Sequence, residues 1–166
     1  MNIIFQENFL SKIEGKHLLL DTSFFIDATI NQTNFQKIIQ KLKDNGNILV
    51  TTDIVKAEFL KGTEIKNREI KENLMTEIVD SILTTTPDII NKYIHLLSKK
   101  YGTNGRGISI GDLLIGATLQ RYPNDLLLVT KNPKDFPKPT TKLITYFLMD
   151  KNKALQIYAF LSKSSK

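Results

Sequence analysis

The sequence predicts an α/β fold, with a mostly parallel central sheet of about five strands covered by helices on both faces. Two observations predict it. Short apolar runs end abruptly in polar residues, and stretches of helical period separate one run from the next. Strands buried on both faces read as unbroken apolar runs, and parallel strands need crossovers long enough to hold a helix. The chain has 166 residues, which suits one domain, and its 41% hydrophobic content is enough for a packed core and excludes wholesale disorder.

The elements follow in order. Residues 2–13 carry a helical period, so residues 1–16 read as an additional N-terminal helix. Leu18-Leu19-Leu20 is the first strand and ends at Asp21; a helical stretch covers 23–44. Ile48-Leu49-Val50 is the second and ends at Thr51-Thr52-Asp53, with helical period over 53–80. Ser81-Ile82-Leu83-Thr84 is a weaker strand, followed by helical patterns at 87–101 and 109–121. Leu126-Leu127-Leu128-Val129 ends at Thr130, and Leu143 to Phe147 is a further strand. Residues 150–163 read as a C-terminal helix, with a frayed Ser162–Lys166 tail. No repeat, low-complexity tract or Pro/Ser linker interrupts the chain, so residues 1–166 read as one domain.

Composition removes whole classes of chemistry. With no Cys there are no disulfides, thiolate zinc sites, iron–sulfur clusters or cysteine nucleophiles. His17 and His95 alone leave little material for a multi-histidine metal site or a Ser-His-Asp triad. Any metal is expected to be hard and oxygen-liganded. Neither G-x-x-x-x-G-K-[ST] nor G-x-G-x-x-G occurs, which argues against a nucleotide switch. The N-terminus lacks a basic, apolar leader, and apolar runs such as Leu126–Val129 fall far short of the roughly 20 residues a membrane helix needs. The expectation is a cytoplasmic protein with no membrane association.

Charge is uneven. Residues 1–100 hold 13 Lys/Arg and 13 Asp/Glu, so the net +6 lies wholly in residues 101–166, which hold 10 Lys/Arg and 4 Asp/Glu. Such a bias fits a polyanionic partner, and it equally fits an ordinary solvated surface.

Ligands of open parallel sheets gather at the carboxyl ends of strands, which directs attention to the residues just after each strand. Asp21 sits between Leu18-Leu19-Leu20 and Phe24-Phe25-Ile26, where a carboxylate is costly unless something pairs with it. It can act as an N-cap, as can Ser23. Asp27 is expected to be a solvated helix residue. At about 100° per residue, Glu58 falls between Ile54 and Val55 on the face expected to point inward. Its alternative is a partly buried Glu paired with a distant Lys or Arg. Asp112 lies in Ser109-Ile110-Gly111-Asp112, which matches a capping box. It is also the only charge between Ile110 and Leu119, so it can be cap, site or both. Thr130-Lys131-Asn132-Pro133-Lys134-Asp135 leaves a strand end as a polar, basic loop, or as a plain Asn-Pro turn. Clustered carboxylates repel, and a divalent cation removes that conflict.

These segments resemble the PIN-domain nuclease family, and within it the VapC-type toxin ribonucleases. Leu18 to Ile26 is similar to the family's opening strand, placing the first metal-binding Asp at Asp21 and a nearby hydroxyl at Ser23. Ile54-Val55-Lys56-Ala57-Glu58-Phe59 resembles the segment of the second acidic residue, Glu58. Gly111 to Thr118 resembles D-x-x-I-A-A-T and places the third at Asp112. Leu128 to Phe136 resembles L-V-T-x-N-x-x-D-F and places the fourth at Asp135 or Asn132. The resemblance spans roughly residues 17–147, and departs from the family pattern at Gly116, at Asn132 and in the two terminal segments.

The resemblance implies a Mg²⁺- or Mn²⁺-dependent endoribonuclease that hydrolyses RNA, with Asp21, Asp112 and Glu58 at the metal and Asp135 or Asn132 completing the set. Thr22, Ser23 and Thr130 are implied hydrogen-bonding supports; Arg106, Lys131 and the neighbouring lysines are implied phosphate contacts. An antitoxin protein and a homodimer are the implied partners. The alternatives are an RNA-processing nuclease without an antitoxin and a non-catalytic nucleic-acid-binding module of the same fold. A phosphatase using Asp21 as a covalent nucleophile is disfavoured, because Ser23 stands where the second Asp is needed.

Overall fold

Four of the expected strands lie parallel at one side of a seven-stranded sheet: β2 (His17–Leu20), β3 (Ile48–Thr52), β4 (Ser81–Leu83) and β5 (Leu126–Thr130). The computed structural model describes residues 3–101, 108–122, 125–136, 140–151 and 154–164. Leu18 of β2 registers with Leu49 on one side and Leu127 on the other, and Val50 registers with Ser81 at the short outer strand. All five residues of β5 are buried, as an unbroken apolar run in a covered sheet requires.

The helices are α1 (Phe9–Ile13), α2 (Thr22–Ile30), α3 (Gln32–Asp44), α4 (Asp53–Leu60), α5 (Ile65–Ile78), α6 (His95–Tyr101) and α7 (Ile110–Arg121). A π-helical stretch, Ile89–Ile94, runs directly into α6. Two expected helices are each split in two. Asn31, whose N–H donates to Asp27 O at 2.9 Å, closes α2 and opens α3. Gly62 at φ +71° separates α4 from α5, a conformation that glycine adopts without the steric cost of a Cβ. Helical period survives such a break because the apolar faces on either side continue to point at one core.

The chain termini correct the sequence reading. Residues 150–163 are not a helix: β6 (Thr141–Lys151) and β7 (Ala154–Lys163) pair antiparallel, and β7 inserts between β6 and β5. Ile157 to Leu161 is apolar at every position, so the pattern matches either period and pairing with β5 decides. One face of β7 buries Tyr158 and Phe160, while Leu155 and Ile157 on the other are 64% and 48% exposed. Nor is Ser162–Lys166 simply frayed, because Ser162 and Lys163 pair within the sheet and Ser164 N donates to Thr140 O at 3.0 Å. Residues 1–16 are not one helix either. β1 (Ile3–Phe5) adds to β6 with Ile4 opposite Leu148, and among the described residues of this segment only the five of α1 are helical. Among the described residues the sheet therefore has seven strands rather than about five, in the order β1-β6-β7-β5-β2-β3-β4.

An aromatic cluster holds these additions to the core. Phe147 stacks on Tyr158 at 4.9 Å and 15°, and Phe9 meets Phe160 edge-on at 5.0 Å. Phe24 and Phe35 approach Tyr158 from the helical layer at 5.9 and 6.0 Å. Pairs in these geometries contribute about 0.5–1.5 kcal/mol each beyond area burial.

Candidate active site

The chain leaves β2 for β3 on one side, and β5 later returns on the other, so the carboxyl ends of β2 and β5 form a topological switch point. Asp21 lies there. Its N–H donates to Val129 O at 3.2 Å, and its side chain caps α2 by accepting from Thr22 N at 2.6 Å. The second carboxylate oxygen accepts from Thr130 Oγ1 at 2.7 Å and Ser23 Oγ at 3.1 Å. Both hydroxyls also accept from the loop after β5: Asn132 N donates to Thr130 Oγ1 at 3.0 Å, and Lys131 N to Ser23 Oγ at 3.4 Å. Thr130 and Ser23 thus connect the Asp21 carboxylate to the backbone of that loop.

Asp21 is only 6% exposed. Burial pushes its carboxyl above the ordinary range; the hydrogen bonds from Thr130, Thr22 and Ser23 oppose that rise, and the charge of Asp112 adds to it. Asp135, in a 3-10 turn (Pro133–Asp135), is also pushed up, first by burial and then by Asp112, with Lys134 opposing. Asp112 is therefore within electrostatic reach of both.

Asp112 occupies the first turn of α7, and the expected cap is present. Ser109 Oγ accepts from Asp112 N at 3.0 Å and donates to Asp112 Oδ2 at 2.7 Å. Leu114 to Gln120 are all buried, as the near absence of charge predicts. Glu58 does not point into the core as expected. It is exposed, and its Oε2 accepts from Thr22 Oγ1 at 2.6 Å. The wheel position between Ile54 and Val55 is occupied, but there it faces the first turns of α2 and α7. Its other oxygen lies against Gly111, in the space that a Cβ on Gly111 would fill.

This contact gives a direct test of Glu58. Gly111→Ala is expected to leave the melting temperature unchanged or slightly higher, since alanine suits a helix better by about 0.5–1 kcal/mol. The displaced Glu58 carboxylate is expected to lower kcat for RNA about tenfold, less than the roughly 10²–10⁴-fold that a positioned acid or base contributes, because the group is shifted and not removed. Thermal melts and steady-state cleavage assays measure the two separately.

Of the remaining expected residues, Asn132 is exposed at the N-cap of the 3-10 turn, and Arg106 lies outside the described residues. Lys131 does not extend from the loop as a free phosphate contact, because its ammonium pairs with Asp27 at 2.8 Å. Asp27 is itself a correction: it is 2% exposed rather than solvated, and it also accepts from Tyr158 OH at 2.6 Å. Its spacing of four residues from Ser23 puts both on one helix face and is the local signal for this burial.

The donor set is all oxygen: the carboxylates of Asp21, Glu58, Asp112 and Asp135 with the hydroxyls of Thr22, Ser23 and Thr130. That chemistry suits Mg²⁺ or Mn²⁺, and a cation relieves the burial and mutual repulsion that raise Asp21 and Asp135. Among the described residues, no three carboxylate or imidazole groups stand close enough to hold an ion as placed.

Comparison with known proteins places this geometry in context. The family profile described as PIN domain matches residues 18–138, which hold Asp21, Glu58, Asp112 and Asp135. Ribonuclease VapC19 from two strains of Mycobacterium tuberculosis, CDC 1551 and H37Rv, is 27% identical over 119 residues, covering 72% of this chain and 91% of that protein. Among solved structures, a chain of VapBC2 from Rickettsia felis, bound to a DNA fragment from their promoter, matches with a TM-score of 0.59. It is 23% identical, covering 72% of this chain and 90% of that one.

Proposed function

Because the chain belongs to the PIN-domain family, we propose that it is a metal-dependent endoribonuclease, the toxin of a toxin–antitoxin pair, acting in the cytoplasm. The observation that carries this reading is that Asp112, at the start of α7, acts electrostatically on both Asp21 and Asp135, which follow β2 and β5. Asp21 and Asp112 would hold Mg²⁺ or Mn²⁺, with Glu58 bound directly or through water. Asp135 completes the catalytic set; its carboxyl already senses Asp112, whereas Asn132 brings no charge. The bound ion supplies neutralisation of the phosphate and acidification of water.

The chain's own residues supply orientation. Thr130, Ser23 and the Thr22 amide direct Asp21, leaving it little rotational freedom. Thr22 Oγ1 holds Glu58 beside the N-terminus of α7, and Ser109 holds Asp112. Phosphate binding is assigned to the exposed Lys134 and to Arg106, both in the segment that carries the whole net +6. The relative named VapC19 is a ribonuclease and VapBC2 is a two-component complex on promoter DNA, which supports an RNA substrate and an antitoxin partner here. A homodimer is proposed as the assembly. Among the described residues, no helix is long and apolar enough to cross a membrane.

Purified protein is expected to cleave single-stranded RNA in Mg²⁺ or Mn²⁺ and to lose all cleavage in excess EDTA, with recovery when the metal is restored. Cleavage that persists unchanged in EDTA overturns the metal requirement. Salt-dependent RNA binding with no turnover under any metal points instead to the non-catalytic module.

A further inference from the structure

Beneath the carboxylates, a second polar group is buried where the proposed chemistry makes no direct use of it. Asp27 Oδ2 accepts from Tyr158 OH at 2.6 Å and pairs with Lys131 Nζ at 2.8 Å. Asp27 is 2% exposed and Tyr158 is fully buried. The three residues come from α2, from the chain leaving β5 and from β7, so they join elements with no local connection. Tyr158 is surrounded by Phe24, Phe35 and Phe147. A phenylalanine would fill the same space; what the hydroxyl adds is its bond to Asp27, along with a long 3.5 Å approach to Ser23 O. Such a part-buried ion pair contributes little net stability, and in some proteins pairs of this kind are retained because they fix one geometry over near alternatives.

Thr130 and Lys131 are pinned to α2 and its cap residue, and Asn132 to Thr130, just before the chain turns to present Asp135. Thr130 is held through the Asp21 carboxylate, and Lys131 through Ser23 Oγ and Asp27. Asn132 is held through its amide to Thr130 Oγ1. Asp135 N then donates to Asn132 O at 3.1 Å, so the turn carrying Asp135 is built directly on this anchor. Of the anchors, only the Asp27 pair is an ion pair, and Tyr158 braces it from the neighbouring strand, where Ala159 registers with Thr130.

We propose that Asp27, Lys131 and Tyr158 form a buried clasp that sets the position of Asn132 and Asp135 relative to Asp21. They are positioning residues and do not touch RNA. The kinetic consequence rests on the nuclease reading above; the structural consequence does not.

Two readouts test it. In metal-free protein, amide hydrogen exchange at Asn132, Asp135 and Phe136 is expected to quicken at least tenfold in Lys131→Met and Asp27→Asn. Amides of β2 and β3 should keep their protection. In the metal-loaded enzyme both variants are expected to lose kcat tenfold or more with KM within about twofold, and Tyr158→Phe to lose about threefold. Lys131→Arg, which keeps the charge, should recover most of the wild-type kcat.

The double variant Asp27→Asn/Lys131→Met separates positioning from stability, because removing both charges relieves the cost of burying one alone. Its melting temperature should recover while kcat stays low; recovery of kcat together with the melting temperature overturns the proposal. Unchanged exchange at 132–136 in folded Lys131→Met overturns it whatever the activity. A rise in KM at constant kcat assigns Lys131 to RNA binding and also overturns it. If wild-type protein cleaves no RNA while the exchange pattern changes as expected, the nuclease reading fails and the clasp stands.

Discussion

Asp21→Asn is expected to reduce RNA cleavage on the order of 10³-fold or more while raising the melting temperature of the metal-free protein at pH 7. The two effects share one cause. Asp21 is nearly inaccessible, and burial raises its carboxyl above the ordinary range despite three hydrogen bonds. The folded protein therefore binds this proton more tightly than the unfolded chain, whose carboxyl titrates near about 3.9. Below that pH both states are protonated and the group contributes nothing. As pH rises through the raised folded value, the ionised form becomes a cost to the fold, fully present above it. Asparagine removes the charge, so its stabilising effect should grow as pH rises through the raised folded value and vanish by about pH 3. Thermal melts across this range, beside cleavage assays, measure both. Asp112→Asn is expected to abolish cleavage equally. Wild-type cleavage rates in both variants would remove Asp21 and Asp112 from the site. A melting temperature for Asp21→Asn below wild type at pH 7 would show that its hydrogen bonds outweigh its burial.

Phe160→Ala should destabilise the protein by about 3–5 kcal/mol, the usual cost of removing a fully buried aromatic ring. Phe160 is inaccessible and packs on Phe9 and Phe147 from two other elements. In a protein of this size the loss corresponds to a drop of roughly 10 °C in melting temperature. Leu155→Ser, on the opposite face of the same strand and 64% exposed, should cost about 0.5 kcal/mol or less. Urea denaturation of the two variants distinguishes a core strand from a dispensable tail, since equal effects would place β7 outside the core. The difference bears on function as well, because β7 also carries Tyr158 to Asp27.

Asp21 and Asp112 are legible in the sequence because each also has a local structural role. Asp21 ends an apolar run and caps a helix, and Asp112 completes a cap with Ser109; both depend on residues one to three positions away. The helix wheel singles out Glu58 but not its direction, since apolar flanks do not say whether the core or another helix end lies between them. Neither Lys131 nor Asp27 shows its pairing in the local sequence, because the two lie 104 residues apart.

The sequence by itself determined the parallel core, the strand ends that converge on one edge, and Asp21 and Asp112 as candidate carboxylates; the fourth position, Asp135 or Asn132, came only with the family resemblance. Those features follow from apolar runs, caps and breaks within a few residues of each position. Only the tertiary structure decided that the last segment is a strand and that the N-terminal segment is split between strand and helix. It also decided that a Tyr 131 residues from Asp27 braces the site from below. A run apolar at every position satisfies both periods. Its conformation is set by which edge of the sheet stands open to receive it, and no window of neighbouring residues contains that information.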